Sequence, residues 1–201
     1  MFLQSLVWAV VGALIALWLE KVFKSPKLKI VASEDANQDY IYPEGVVVPG
    51  RWKFFRVKVI NKGLPKIFNF LTIRETAQQM NAVISFKEIG KSMKGRWAES
   101  LELPFANQSD ILKLINFPDP FTIFPGESTI LDVFAKYEKD SEAYGWNNEA
   151  YLNKWRTPNY KLPQGNYLIN IRIVGVNAQV SKTFQAHVGK TIEETHIKPL
   201  K

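Results

Sequence analysis

The sequence predicts a mainly β fold, a β-sandwich carried on a single N-terminal transmembrane α-helix. Three observations lead there. Phe2 to Leu19, FLQSLVWAVVGALIALWL, holds no charged residue. At roughly 1.5 Å per helical residue it spans about 27 Å, close to the hydrocarbon thickness of a bilayer. Beyond it, short stretches alternate apolar and polar residues and are parted by Gly, Pro and Asn, the period-2 signature of half-buried strands. No amphipathic helical pattern follows, so the apolar side chains of the body must be buried between sheets.

Residues 1–25 are read as the transmembrane helix with its basic juxtamembrane flank. A cleaved signal peptide calls for a positive n-region, a shorter apolar core and a small-residue cleavage site. Here no basic side chain precedes the apolar run and no A-x-A-like site follows it, so an uncleaved anchor is expected. Lys21, Lys24, Lys27 and Lys29 lie just behind it, opposed by Glu20 alone. These four are the candidate contacts to lipid headgroups. Basic flanks stay on the cytoplasmic side, which places the β domain in the cytoplasm, with an extracytoplasmic domain as the alternative. Ala9, Gly12, Ala13 and Ala16 recur three and four apart, on one helix face. Small residues there admit a second helix, so they are the candidate helix-packing positions for a homo-oligomer.

The β domain is expected over 26–190. Pro26 stops the helix, and Leu28, Ile30 and Ala32 begin a first strand. Residues 34–50 carry loop chemistry around an apolar Val46-Val47-Val48. In FFRVKVIN, Phe55, Val57 and Val59 face one way, Arg56 and Lys58 the other, and Asn61-Lys62-Gly63 supplies a turn. Phe68 to Ile73 is read as a strand or part of a connection, and Ala82, Ile84 and Phe86 as a strand. Gly90 to Gly95 reads as a basic turn and 101–128, rich in Pro, Phe and Asn, as an irregular connection. Leu131, Val133 and Ala135 alternate in TILDVFAKY. An aromatic insertion, 138–160, separates that strand from the last two. Tyr167, Ile169, Ile171 and Ile173 alternate strictly, Gly175 to Ala178 turns, and Phe184, Ala186 and Val188 close the final strand. Residues 191–201 read as a polar tail that frays.

The run FFRVKVINKG, then NAVISF, GRWAES, LPQGNYLINIRIVGVNAQ and a closing F-x-A-x-V resembles the immunoglobulin-like domains of uncharacterised prokaryotic membrane-anchored proteins. Those also begin with one apolar helix, basic residues and a Pro-x-Leu strand, as Pro26-Lys27-Leu28 does here. The resemblance implies an immunoglobulin-like β-sandwich and this arrangement, and it carries no activity. The 138–160 insertion has no counterpart in it.

The chemistry legible in the residues is sparse. The chain has no cysteine and only two histidines, His187 and His196; thiol catalysis, disulfides and Cys-based zinc sites are therefore excluded. His187 falls out of phase with the buried positions of its strand and is expected to face solvent, with His196 in the tail. No Walker loop, G-x-S-x-G elbow, G-x-G-x-x-G fingerprint or H-E-x-x-H spacing occurs. Asp35/Asp39 and Asp140/Glu142 are the carboxylate pairs weighed for calcium, without the EF-hand pattern, and Asn107-Gln108-Ser109 is a bare sequon. No catalytic residue, cofactor or metal is expected, and the chain is read as no enzyme.

The net charge of +7 points to anionic headgroups. Nucleic acid is not expected, because no dense basic run is present and the aromatic insertion is rich in acid. Trp146, Tyr151, Trp155 and Arg156 in that insertion are the candidate interaction residues, since Trp and Tyr anchor interfaces; the competing reading makes them core. Arg96-Trp97 is read as a structural cation–π stack. The expectation is thus a single-pass protein whose partners are the lipid bilayer and an unidentified protein that it binds or scaffolds. A structural subunit of a membrane complex and an envelope-facing module for carbohydrate or a surface protein are the alternatives.

Overall fold

The computed structural model describes residues 2–32, 34–42, 49–65, 73–100, 113, 119–152 and 154–200. Helix α1 spans Phe2–Lys24, and from Leu6 to Val22 every side chain is exposed. It is the one helix among the described residues long and apolar enough to cross a membrane. The amide and hydroxyl of Ser25 both donate to the Lys21 carbonyl, at 3.0 and 2.6 Å, and Pro26 lets the helix go no further.

Thirteen strands follow among the described residues: β1 (Leu28–Ala32), β2 (Gln38–Tyr42), β3 (Gly50–Asn61), β4 (Ala77–Phe86), β5 (Lys91–Lys94), β6 (Arg96–Trp97), β7 (Phe121–Ile123), β8 (Ser128–Tyr137), β9 (Ala143–Gly145), β10 (Lys161–Leu162), β11 (Gly165–Val174), β12 (Gln179–Val188) and β13 (His196–Pro199). They make two antiparallel sheets. The first runs β1-β3-β8-β9-β10, with β2 beside β3 and β6 beside β8. The second runs β13-β12-β11-β4-β5, with β7 beside β4.

The two sheets share one core, as two half-apolar faces must in water. Phe55, Val57 and Val59 of β3 and Leu131, Val133 and Phe134 of β8 meet Ile84, Ile169, Ile171, Ile173 and Phe184 from the other sheet. The strict alternation of β11 and the closing strand β12 lie as their periodicity predicts, joined at a turn where Gly175 donates to Ala178 at 2.9 Å.

The structure corrects several expectations. Gln38–Tyr42, read as loop, is strand β2 on β3. Most of the expected basic turn is strand β5, paired with β4; the turn itself lies just before it, where Gly90 donates to the Lys87 carbonyl. Ala135 does not continue the face of Leu131 and Val133. A β-bulge in β8 pairs Phe55 with Phe134 and Arg56 with Asp132, leaving Val133 as the extra residue and reversing the phase behind it. Val133 and Phe134 both enter the inter-sheet core, and Ala135 turns to the opposite face. The segment after Gly189 does not fray. Ile192 is buried, Arg51 donates to Glu193 at 2.7 Å, and β13 adds to β12. The expectations for Val46 to Val48, for 68–72 and for Asn107-Gln108-Ser109 fall outside the described residues, as does most of 101–118.

Candidate functional site

Two places concentrate side chains beyond the inter-sheet core. The first is the end of the domain that receives the helix. Its centre is Asn61, an amide at a buried position of β3, one step past the alternating Phe55, Val57 and Val59. Its Oδ1 accepts from the Lys27 amide at 3.2 Å. Its Nδ2 donates to the carbonyls of Glu75 and Ile123 at 3.0 and 3.1 Å. Its carbonyl accepts from Gly126 at 2.7 Å. One residue thereby ties the segment entering β1 to β7 and to the connections at Glu75 and Gly126, because a buried amide must place all its polar atoms.

The same end holds the helix. The Glu75 amide donates to the Lys24 carbonyl at 2.7 Å, occupying one of the acceptors that a helix terminus leaves open. Arg74, buried, donates to the Lys62 carbonyl at 2.9 Å and to that of Phe23 at 3.5 Å. Burial pulls the Arg74 pKa below its usual value. Of the four candidate headgroup lysines, Lys21, Lys27 and Lys29 are exposed, and Lys24 pairs with Glu20. The candidate helix-packing residues Ala9, Gly12, Ala13 and Ala16 lie on the fully exposed stretch of α1, and among the described residues a Cβ at Gly12 would meet no neighbour within 4 Å.

The second place is the outer face of the first sheet. Trp52 and Phe54 of β3 and Ala135 and Tyr137 of β8 point away from the inter-sheet core, and the 138–160 insertion folds over them. Trp146 and Trp155 are 3% and 7% exposed, so of the two readings weighed for these indoles, contact patch or core, they are core. They pack on each other edge to face at 5.5 Å, and Trp155 meets Trp52 at 5.5 Å. Tyr151 lies half-buried against Trp146. Arg156 is held by Asp140 through bonds of 2.6 and 3.3 Å and lies over the Tyr137 and Trp52 rings. The Asp140 carbonyl also accepts from the buried Lys136 ammonium at 3.0 Å, whose pKa burial lowers.

Beside this cluster, Arg56, Asp132 and Arg96 stand in one row across β3, β8 and β6. Arg56 Nε donates to Asp132 Oδ1 at 2.6 Å and Arg96 Nη1 to Oδ2 at 2.9 Å. All three are buried. Burial raises the Asp132 pKa, and the two guanidiniums oppose that rise. Arg96 also lies over the Tyr151 ring at 5.6 Å, a cation–π stack of the kind expected, formed with the insertion on the outer face and not within the sandwich. The triad escaped sequence reading, although Arg56 and Asp132 carry opposite charges on the outward phase of two apolar strands.

The carboxylates weighed from the sequence each meet a cationic side chain, Asp140 that of Arg156. Asp35 pairs with Lys58, Asp39 with Arg51, and Glu142 with Lys161. The Lys161 bond, with help from Ser141, lowers the Glu142 pKa to about 2. His187 and His196 face each other across β12 and β13 with rings 5.5 Å apart, both half-buried, so His187 is less open than expected. Among the described residues no three His, Asp or Glu side chains converge on a common centre. The geometry is therefore that of a two-sheet β domain with a covered outer face and a helix-bearing end. Comparison with protein-family models, curated proteins and solved structures gives no match.

Proposed function

We propose that the chain is a single-pass, membrane-anchored protein whose immunoglobulin-like β-sandwich binds or scaffolds another protein at the cytoplasmic membrane surface, without catalysis. The observation that carries the reading is α1. It leaves the domain with apolar side chains exposed on every face from Leu6 to Leu19, a surface that water disfavours and lipid accepts. The hydrogen bonds from Glu75 and Arg74 to its last turn make it an extension of the domain.

The 138–160 insertion is the partner site in this reading, with a changed role for its indoles. Lys154 and Trp155 have φ of 46° and 67°, two consecutive non-glycine residues in the left-handed region. Such a conformation costs on the order of 1–3 kcal/mol per residue and persists where packing over-determines it. Buried Trp155 supplies that packing and presents exposed Lys154 and Pro158 beside half-exposed Tyr151 and Arg156. Loops held rigidly on a scaffold are common contact sites.

The test is a photo-crosslinking residue at position 154 in native membranes, read by mass spectrometry, with carbonate extraction alongside. A single protein captured from 154 and not from 83, on the far sheet, supports the reading. Release of the whole chain into the carbonate supernatant, or no capture dependent on the insertion, overturns it. A second reading, a structural subunit of a membrane complex, is favoured by the open face at Gly12. There Gly12→Leu with Ala16→Leu dissociates the complex, and an unchanged assembly removes the idea.

A further inference from the structure

Outside α1, four large apolar side chains are more than half exposed among the described residues: Ile41, Ile73, Phe124 and Val176. Ile41 lies on β2 opposite Arg51. Ile73, Phe124 and Val176 come from three different connections, and all three connections gather at the end that receives the helix. Asn61 binds the strand before Phe124 and the loop after Ile73. Ile73, Arg74, Pro125 and Gly126 line one groove there. The turn bearing Val176 is fixed to the same segment, since Val176 donates to the Gln78 carbonyl at 3.1 Å and Asn177 to that of Thr76 at 2.9 Å.

This turn also reaches beside the helix. Leu17, Lys21 and Lys24 share a groove with Glu75 and Asn177. Leu17 precedes the end of α1 by seven residues, about 10 Å along the axis. If α1 crosses a bilayer, its last two turns lie at headgroup depth, and the turn carrying Val176 lies there with them. Lys21, Lys27 and Lys62, all exposed, surround this end.

We propose that this end is a membrane-docking rim, in which Ile73, Phe124 and Val176 enter the bilayer interface while the lysines around them meet anionic headgroups. The rim holds the β domain in one orientation against the membrane, so that the tether is not its only contact. The hydrogen bonds keep the three connections in place, and their apolar tips therefore meet lipid without a folding cost. The inference rests on the membrane-spanning reading of α1, and its test separates the two.

Because the chain has no cysteine, single labels report cleanly. Ile73→Cys, Phe124→Cys and Val176→Cys, with Ile41→Cys and Ala13→Cys as controls, are labelled with an environment-sensitive fluorophore. The full chain is reconstituted in phosphatidylcholine vesicles with and without phosphatidylserine. The expected result is a blue shift and shielding from an aqueous quencher at 73, 124 and 176, stronger with phosphatidylserine, while 41 stays open to water. Labels at 73, 124 and 176 as quenchable as that at 41, with the label at 13 shielded, overturn the rim and leave the anchor standing. A label at 13 open to water overturns both.

Discussion

Asp132 stands opposite Arg56 at the edge of a bulge, where Val133 is one residue too many in β8. Alternation puts Val57 and Leu131 on the inward face and the charged pair on the outward one, where Arg96 joins it. Asp132→Asn strips two buried guanidiniums of their carboxylate. It should cost about 3–5 kcal/mol, the range for breaking a buried ion pair from one side. Arg96→Met should cost less, since Arg56 keeps its partner. Urea unfolding of the two variants in detergent, followed by tryptophan fluorescence, gives the comparison; equal losses would refute the assignment.

The aromatic layer predicts a different pattern. Trp155→Ala opens a cavity under the insertion and should destabilise by about 3–5 kcal/mol, with the loss of edge-to-face contacts included. Lys154→Ala, one residue away and exposed, should change stability by less than about 0.5 kcal/mol. A thermal melt of each variant distinguishes a structural Trp155 from an exposed one.

Asn61→Ala removes three side-chain hydrogen bonds at the helix-bearing end. At about 0.5–1.5 kcal/mol each, the sum is about 1.5–4.5 kcal/mol. Hydrogen exchange should quicken first at the amides of Lys27, Glu75 and Gly126, before the strands β11 and β12 respond. Uniform loss of protection would show that Asn61 has no local role.

Glu142 gives a pH signature. Its folded pKa is depressed, to about 2 from 4.5, by Lys161 and Ser141. The stabilisation from this pair is therefore present above pH 4.5 and is lost as the pH falls towards 2. The pair is partly open to solvent, so the effect is small. Glu142→Gln should flatten the acid limb of a stability–pH curve between those values and change little at pH 7. A limb unchanged by the substitution would assign the acid response to other carboxylates.

Two glycines should behave oppositely. A Cβ at Gly175 would sit 2.4 Å from both the Gln78 carbonyl oxygen and the Met80 sulfur, so Gly175→Ala must displace the turn that carries Val176. A Cβ at Gly12 would meet no described residue within 4 Å, and Gly12→Ala should leave the melt of the β domain unchanged. Circular dichroism melts of both variants decide the point.

Much of this architecture is legible residue by residue. The uncharged run from Phe2 to Leu19 needs no partner to declare itself, since its length and uniform apolarity are local properties. The strands β1, β11 and β12 are equally plain, because one face is buried and the other wet, and a period of two survives in the sequence. Asn61 reads as the start of a turn, although the same period puts this polar residue at an inward position of β3. Two other features are hidden for opposite reasons. In β3 and β8 both faces are covered, so Trp52, Phe54 and Ala135 blur the alternation, and the bulge at Val133 then shifts its phase. The insertion 138–160 reads equally as a contact patch or as core, because aromatic residues look alike whether they meet a partner or their own sheet.

By itself the sequence determined an apolar helix with a basic flank, a body of alternating strands, and the absence of any thiol chemistry. Composition and short-range periodicity suffice for such properties. Only the tertiary structure decided that Trp146 and Trp155 are buried, that Arg56, Asp132 and Arg96 form one row, and that Ile73, Phe124 and Val176 share the end beside the helix. These residues are far apart along the chain, and their meeting depends on strand register, a bulge and the hydrogen bonds of Asn61, which no local pattern encodes.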